Sequence, residues 1–222
     1  MSGRRFELLS TGQIYHVFNR SIANEEILNK NRLLHRAIDL IDYYSYPQRL
    51  RYSFFKRLPI KLKNNYIKEF KKRQPLISIY AFALMPNHYH LMIRQLSDDG
   101  IKLFISNFQN GFAKYLNLLN HRNGSVFQKP FKAKRITDDL QFLHLGRYIH
   151  LNPVTSYFIE MKDLQSYPWT SYPNLLNKIN NSFVDSQITL NMIGTTFKYK
   201  KFIENQYDYQ RKLNLIKHLT FD

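Results

Sequence analysis

His88-Tyr89-His90 lies inside the apolar run Ala83-Leu84-Met85-Pro86-Asn87-His88-Tyr89-His90-Leu91-Met92-Ile93. If that run is a strand, residues i and i+2 share a face, so both imidazoles point the same way. Two imidazoles so placed can offer two nitrogen ligands to one divalent cation. The competing reading is a pair of hydrogen-bonded histidines in a half-buried strand. Far downstream, in Arg147-Tyr148-Ile149-His150-Leu151-Asn152-Pro153-Val154, Tyr148 and Asn152 are i and i+4, neighbours on one helical face. Taken alone, Tyr148 reads as a core tyrosine and Asn152 as a helix C-cap. Beside a two-histidine strand they become the parts of a metal-assisted nucleophilic site. In that site His88, His90 and the Asn152 amide oxygen hold Mg²⁺ or Mn²⁺, which polarises a phosphate while Tyr148 attacks phosphorus and forms a phosphotyrosine. A free phenol has a pKa of about 10, so it needs help from metal or a base near neutral pH. His144, i−4 from Tyr148, reads as structural more readily than catalytic. His150, two residues on, reads as facing solvent or DNA.

The elements that must position these groups are legible in outline. Ile14 to Arg20 alternates as a first strand, and Asn29 to Tyr44 carries apolar residues at helical spacing. Leu76 to Leu84 and Tyr89 to Arg94 read as two strands turning through Met85-Pro86-Asn87. Asp98 to Leu119 is an amphipathic helix with Ile101, Phe104, Ile105, Phe108, Phe112, Tyr115, Leu116 and Leu119 in one stripe. Lys102, Asn107, Asn110 and Lys114 lie outside that stripe. Phe131 to Thr137 reads as a basic strand. A last helix, capped by Asp138 or Asp139, is expected to run to about Leu151, because Asn152-Pro153 disfavours continuation. The order strand, helix, strand, strand, helix, strand, helix is an α+β plan. It predicts a ferredoxin-like split-βαβ core with an antiparallel sheet and an added nucleophile-bearing helix. A basic insertion at 47–75 and a helical C-terminal extension complete it.

The 222 residues carry 33 Lys+Arg against 16 Asp+Glu, a formal charge of +17, which points to a polyanionic partner and above all nucleic acid. Between Pro47 and Arg73, ten cations face only Glu69 and are interleaved with Tyr46, Tyr52, Phe54, Phe55, Tyr66 and Phe70. That mixture suits single-stranded nucleic acid; a basic helix whose aromatics pack inward fits as well. A second such surface is expected on the tail from Phe197, Lys200, Lys201, Tyr207 and Lys212. With no cysteine, disulfides and thiolate metal sites are excluded. No secretory signal and no membrane span is expected, so the sequence reads as a soluble intracellular protein.

At these motifs the sequence resembles the REP-associated tyrosine transposases, within the single-tyrosine HUH nucleases. His88-Tyr89-His90 resembles the His-hydrophobic-His signature, in the setting Met85-Pro86-Asn87-His88-Tyr89-His90-Leu91. Arg147 to Val154 resembles the family's tyrosine motif, Gly124 to Phe131 its intervening stretch, and Tyr167 to Tyr172 its downstream Tyr-Pro-Trp segment. The likeness spans roughly Gln13 to Trp169. It implies a ferredoxin-like nuclease and strand transferase acting on single-stranded or hairpin DNA, leaving a 3′ hydroxyl and a 5′-phosphotyrosine. It further implies His88 and His90 as ligands of Mg²⁺ or Mn²⁺, Asn152 as third ligand and Tyr148 as nucleophile. On this reading residues 1–172 form the catalytic domain and 173–222 the basic extension, in a cytoplasmic, nucleoid-associated protein working as monomer or homodimer. Arg20, Lys132, Lys134 and Arg135 are expected to contact phosphates. Another class, a hairpin- or single-strand-binding protein that does not cleave, uses the same charge; the quartet His88, His90, Tyr148 and Asn152 favours the enzyme.

Overall fold

The structure, a computed structural model, describes residues 8–205. Four strands, β1 (Ile14–Arg20), β2 (Ile77–Met85), β3 (His88–Gln95) and β4 (Lys132–Ile136), form one antiparallel sheet in the order β2-β3-β1-β4. With α1 (Asn31–Tyr44) between β1 and β2, and α4 (Gly100–Leu119) between β3 and β4, this is the ferredoxin-like order that the succession of elements predicts. β1 and β3, the strand that carries His88 and His90, are the central pair.

Parity along the strands divides the sheet into two different faces. Tyr15, Val17, Tyr89, Leu91 and Ile93 are fully buried against α1 and α4, whose apolar stripes complete the main core. Ile101, Phe104, Ile105, Phe108, Phe112 and Leu116 are buried as the stripe requires, while Tyr115 and Leu119 stay half-buried at its margin. The other face carries His16, Phe18 and Arg20 on β1, in register with Met92, His90 and His88 on β3. Lys134 and Lys132 of β4 pair with His16 and Phe18 on that same face.

This second face is crossed by α5 (Asp139–Thr155), whose first turn is capped by the Asp138 carboxylate accepting from the Gln141 N–H at 2.8 Å. The helix does not stop at Leu151 as the sequence suggests; it continues through Pro153 to Thr155. Proline removes one intrahelical donor, a cost of order ~3 kcal/mol or more in a helix interior. Against it stands a buried contact: Leu151 and Val154 pack on Leu164, Tyr172, Leu175, Tyr199 and Ile203 as a second apolar cluster. Carbonyls near the end are still used, with Ser156 N–H donating to Asn152 and Phe158 N–H to Pro153.

The insertion folds as α2 (Tyr52–Arg57) and α3 (Ile60–Lys71). Its aromatics turn inward: Tyr52, Phe55, Tyr66 and Phe70 group around Tyr43 and Tyr44, and Tyr46 packs at 5.5 Å on Phe70. Of the six aromatics in the stretch only Phe54 is broadly exposed, under the Arg57 guanidinium at 4.8 Å. The stretch is therefore an aromatic core with a cationic shell. Short helices α6 (Tyr172–Leu175), α7 (Gln187–Ile193) and α8 (Thr196–Glu204) follow α5. Tyr207 and Lys212 lie outside the described residues, and of the tail surface Phe197 is exposed with Lys201 at 4.7 Å over its ring. Among the described residues no helix is long and apolar enough to cross a membrane.

Candidate functional site

The outward face of β1 and β3 gathers three imidazoles. His90 is almost fully buried, His16 and His88 half-buried, and the ring centroids of His88 and His16 lie 5.0 and 5.1 Å from that of His90. His16 Nε2 and His90 Nδ1 share a hydrogen bond of 2.9 Å, and His88 Nδ1 donates to the Asn87 amide oxygen at 2.6 Å. With the shared proton on His90 Nδ1, the Nε2 lone pairs of both His88 and His90 are free. Phe18 stacks beside His16 at 4.7 Å and closes the floor.

The electrostatics keep these rings neutral. Burial, reinforced by Lys134, pushes His16 down to about 4. Burial and then Arg20 push His88 down to about 4. His90 is held well below its ordinary value by burial, then by His16, His88 and Arg20. A neutral imidazole is the form that ligates a metal, and a ligand whose other ring nitrogen is hydrogen-bonded is held in orientation.

Tyr148 comes to this cluster from above. Its ring stands edge-on, 5.5 Å from His90 and 6.1 Å from His16, and the residue remains 40% exposed. At Gly146 the helix passes between the sheet and α8: a Cβ there would meet Met92 at 3.7 Å and the Tyr199 hydroxyl at 3.4 Å, both ordinary contacts. One turn beyond Tyr148, Asn152 is buried and its Nδ2 has no hydrogen-bond partner. A buried N–H donor so left costs on the order of 1–3 kcal/mol, a cost that an acceptor such as a phosphate oxygen reaching it would relieve. Among the described residues no group of three or more histidines or carboxylates converges as a metal site. His88 Nε2 and His90 Nε2, on one face, are donors of the kind a divalent cation takes, and the Asn152 amide oxygen would be the third, with water or phosphate oxygens making up the remainder.

The structure thus gathers His88, His90 and Tyr148 on one face, with Asn152 on the next turn. Arg20 pairs across from His88, and Lys132 and Lys134 line the β4 side. Arg135 lies on the opposite parity from these residues: it pairs with Tyr15, stays exposed, and its guanidinium donates to Gln13 Oε1 at 2.6 Å. His150 is a correction. It is fully buried, not turned to solvent or DNA, and sits between the Tyr199 hydroxyl at 2.8 Å and Ser171 Oγ at 2.7 Å. His144 accepts from Arg147 Nη2 at 2.7 Å, and Arg147 lies over Phe202 at 4.2 Å, which makes His144 part of the anchoring of α5. The residue that sequence reading missed is His16. Its signal was available: in a split-βαβ sheet β1 and β3 are adjacent, and His16 shares parity with Arg20.

No protein-family model matches the chain, and no curated protein matches it. Among solved structures, a REP-associated tyrosine transposase bound to a REP hairpin superposes with a TM-score of 0.54 at 15% identity, covering 84% of this chain and 90% of that one. A presumed transposase from Deinococcus radiodurans R1 superposes with a TM-score of 0.35 at 14% identity, covering 67% of this chain and 95% of that one. The first likeness is one of fold, and it extends over most of both chains.

Proposed function

We propose that this protein is a single-stranded DNA endonuclease and strand transferase that links DNA covalently to Tyr148 at hairpin-associated sites. The observation that carries this reading is the exposed Tyr148 ring set edge-on over His90 and His16 on a cationic sheet face. The hairpin enters as the partner of the structurally similar transposase. Arg20, Lys132 and Lys134 draw the strand onto the face and fix its phosphates. The Tyr148 oxygen attacks phosphorus, the bond to the 3′ oxygen breaks, and the departing oxygen takes up a proton as a 3′ hydroxyl. The phosphotyrosine retains the diester energy, so the same steps in reverse join a strand without a nucleotide cofactor. An imidazole held near 4 is a weak base for a phenol, so the proton of Tyr148 leaves to water or to phosphate and His16 acts by orientation. A divalent cation, Mg²⁺ or Mn²⁺, held by His88 and His90 with Asn152 as third donor, would supply charge neutralisation at the scissile phosphate.

The test is a denaturing gel of labelled hairpin-bearing single strands with Mn²⁺. A metal-dependent covalent adduct is expected with wild type and is absent with Tyr148→Phe. An adduct that survives the substitution moves the nucleophile elsewhere. Tight binding without adduct across many hairpins would leave a DNA-binding protein that does not cleave.

A further inference from the structure

A second basic and aromatic feature lies on the other side of the sheet and takes no part in the chemistry above. Between α1, α2 and α4 is a cavity of about 420 Å³. Its floor is formed by Leu40, Tyr44 and Gly111. Gly111 holds the floor down, since a Cβ there would come within 3.1 Å of Leu40 and 3.3 Å of Tyr44. The walls are Tyr52 and Tyr115, with the Arg36 guanidinium between them at 5.0 and 4.1 Å from the two ring centroids. Arg51 and Lys114 stand exposed at the rim, and neither side chain has a hydrogen bond or ion pair among the described residues. The nearby carboxylate, Asp39, accepts from the Tyr52 hydroxyl at 2.6 Å and lies 3.9 Å from Lys56.

We infer that this cavity binds one unpaired nucleotide of a DNA single strand, as a second strand-holding site distant from the imidazoles. Three features select that ligand. The volume is within the range of about 300–1,000 Å³ typical of small-ligand clefts. The Arg36 guanidinium plane, backed by the Tyr52 and Tyr115 rings, suits stacking of a base, which is worth more than a surface contact and is indifferent to sequence. Two cations free of carboxylates suit its phosphate, and the Asn107 and Asn110 amides on α4 present donors and acceptors toward a base edge. A duplex keeps its base faces stacked inside and would use only the cations. The inference rests on the reading that the substrate is single-stranded DNA, and it adds a hold on the strand away from the cut.

The experiment uses the full chain carrying Tyr148→Phe, so that binding is measured without cleavage. Anisotropy of an unstructured labelled oligothymidine is compared for this parent and for Arg51→Gln/Lys114→Gln, surface changes that leave the core intact. Affinity is expected to fall about tenfold. The slope of log affinity against log salt should shrink by about 0.7, for the one phosphate that is no longer neutralised. A 5-iodouracil strand should photocrosslink to Tyr115, and that crosslink should persist in Lys132→Gln/Lys134→Gln. Unchanged affinity and slope, or crosslinks confined to the imidazole face, overturn the inference. Blunt duplex competing as well as single strand overturns it in favour of plain phosphate binding. A free deoxynucleoside monophosphate competing as well as the strand replaces the strand by a small ligand. If the parent binds no DNA the proposed function falls too; if wild type forms the Tyr148 adduct while the pocket variant binds normally, only this inference falls.

Discussion

His16 shows what a strand neighbour contributes to a site. Its Nε2 holds His90 Nδ1 at 2.9 Å, so it fixes which His90 nitrogen is free and how the ring is turned. Loss of an outer partner of a metal ligand typically costs about 10–100-fold in metal affinity or activity. His16→Ala should therefore raise the Mn²⁺ needed for half-maximal adduct by about that factor, while hairpin affinity without metal stays unchanged. An unaltered Mn²⁺ requirement would remove His16 from the site. The β4 cations make a parity test. Lys134→Gln should reduce the salt slope of DNA binding by about 0.7, whereas Arg135→Gln, on the far face and bonded to Gln13, should leave it where it was. His88, His90 and Tyr148 were legible in the sequence because their spacing within one element decides their direction. His16 and the opposite parity of Arg135 were not, because they depend on which strand lies beside which and with what register.

At the scale of elements, α5 is the part that must be held still, and its support comes from far along the chain. His150 reaches up to Tyr199 of α8 and across to Ser171, whose Oγ also accepts from the Phe82 N–H of β2 at 2.8 Å. Tyr199→Phe removes one hydroxyl and leaves a buried histidine nitrogen unpaired, a loss of about 1–3 kcal/mol. Urea unfolding should show that loss, and the rate of adduct formation should fall by more than hairpin affinity does. A variant destabilised to that extent yet cleaving at full rate would show that α8 does not position Tyr148. The succession of elements was readable because apolar periodicity separates strand from helix. The passage of α5 through Pro153 was not, since local geometry argues for a stop and a distant cluster around Leu164, Tyr172 and Tyr199 overrides it. The insertion left two readings open in sequence, and packing around Tyr43 decided between them: its aromatics serve the fold and its lysines serve the surface.

At the scale of the whole molecule, burial keeps His16, His88, His90 and His150 neutral in one small protein. All four are lowered on folding, so below the ordinary value of 6.5 the unfolded chain takes up more protons than the folded one. Stability therefore falls as pH drops from 6.5 toward the folded values. For His150, held down to about 3 by burial, the loss between pH 6.5 and 5 is about 2 kcal/mol. Urea midpoints at about pH 7.5 and pH 5 should differ accordingly in wild type, and by less in His150→Gln. Equal differences would mean that His150 is not buried neutral. The arrangement of the sheet has one more consequence, in time and not in space. His88 and His90 sit on β3, bonded on both edges by β1 and β2, whereas Tyr148 rides on a helix laid across the outside. Central strands open only with the whole fold, while a peripheral helix can lift in a separate, cheaper event. Amides of Tyr89 and Leu91 should then exchange with deuterium more slowly than those of Ile149 and Leu151. Tyr148 would have a shorter residence at the site than the imidazoles it faces, and the two halves of the site would be built to different lifetimes.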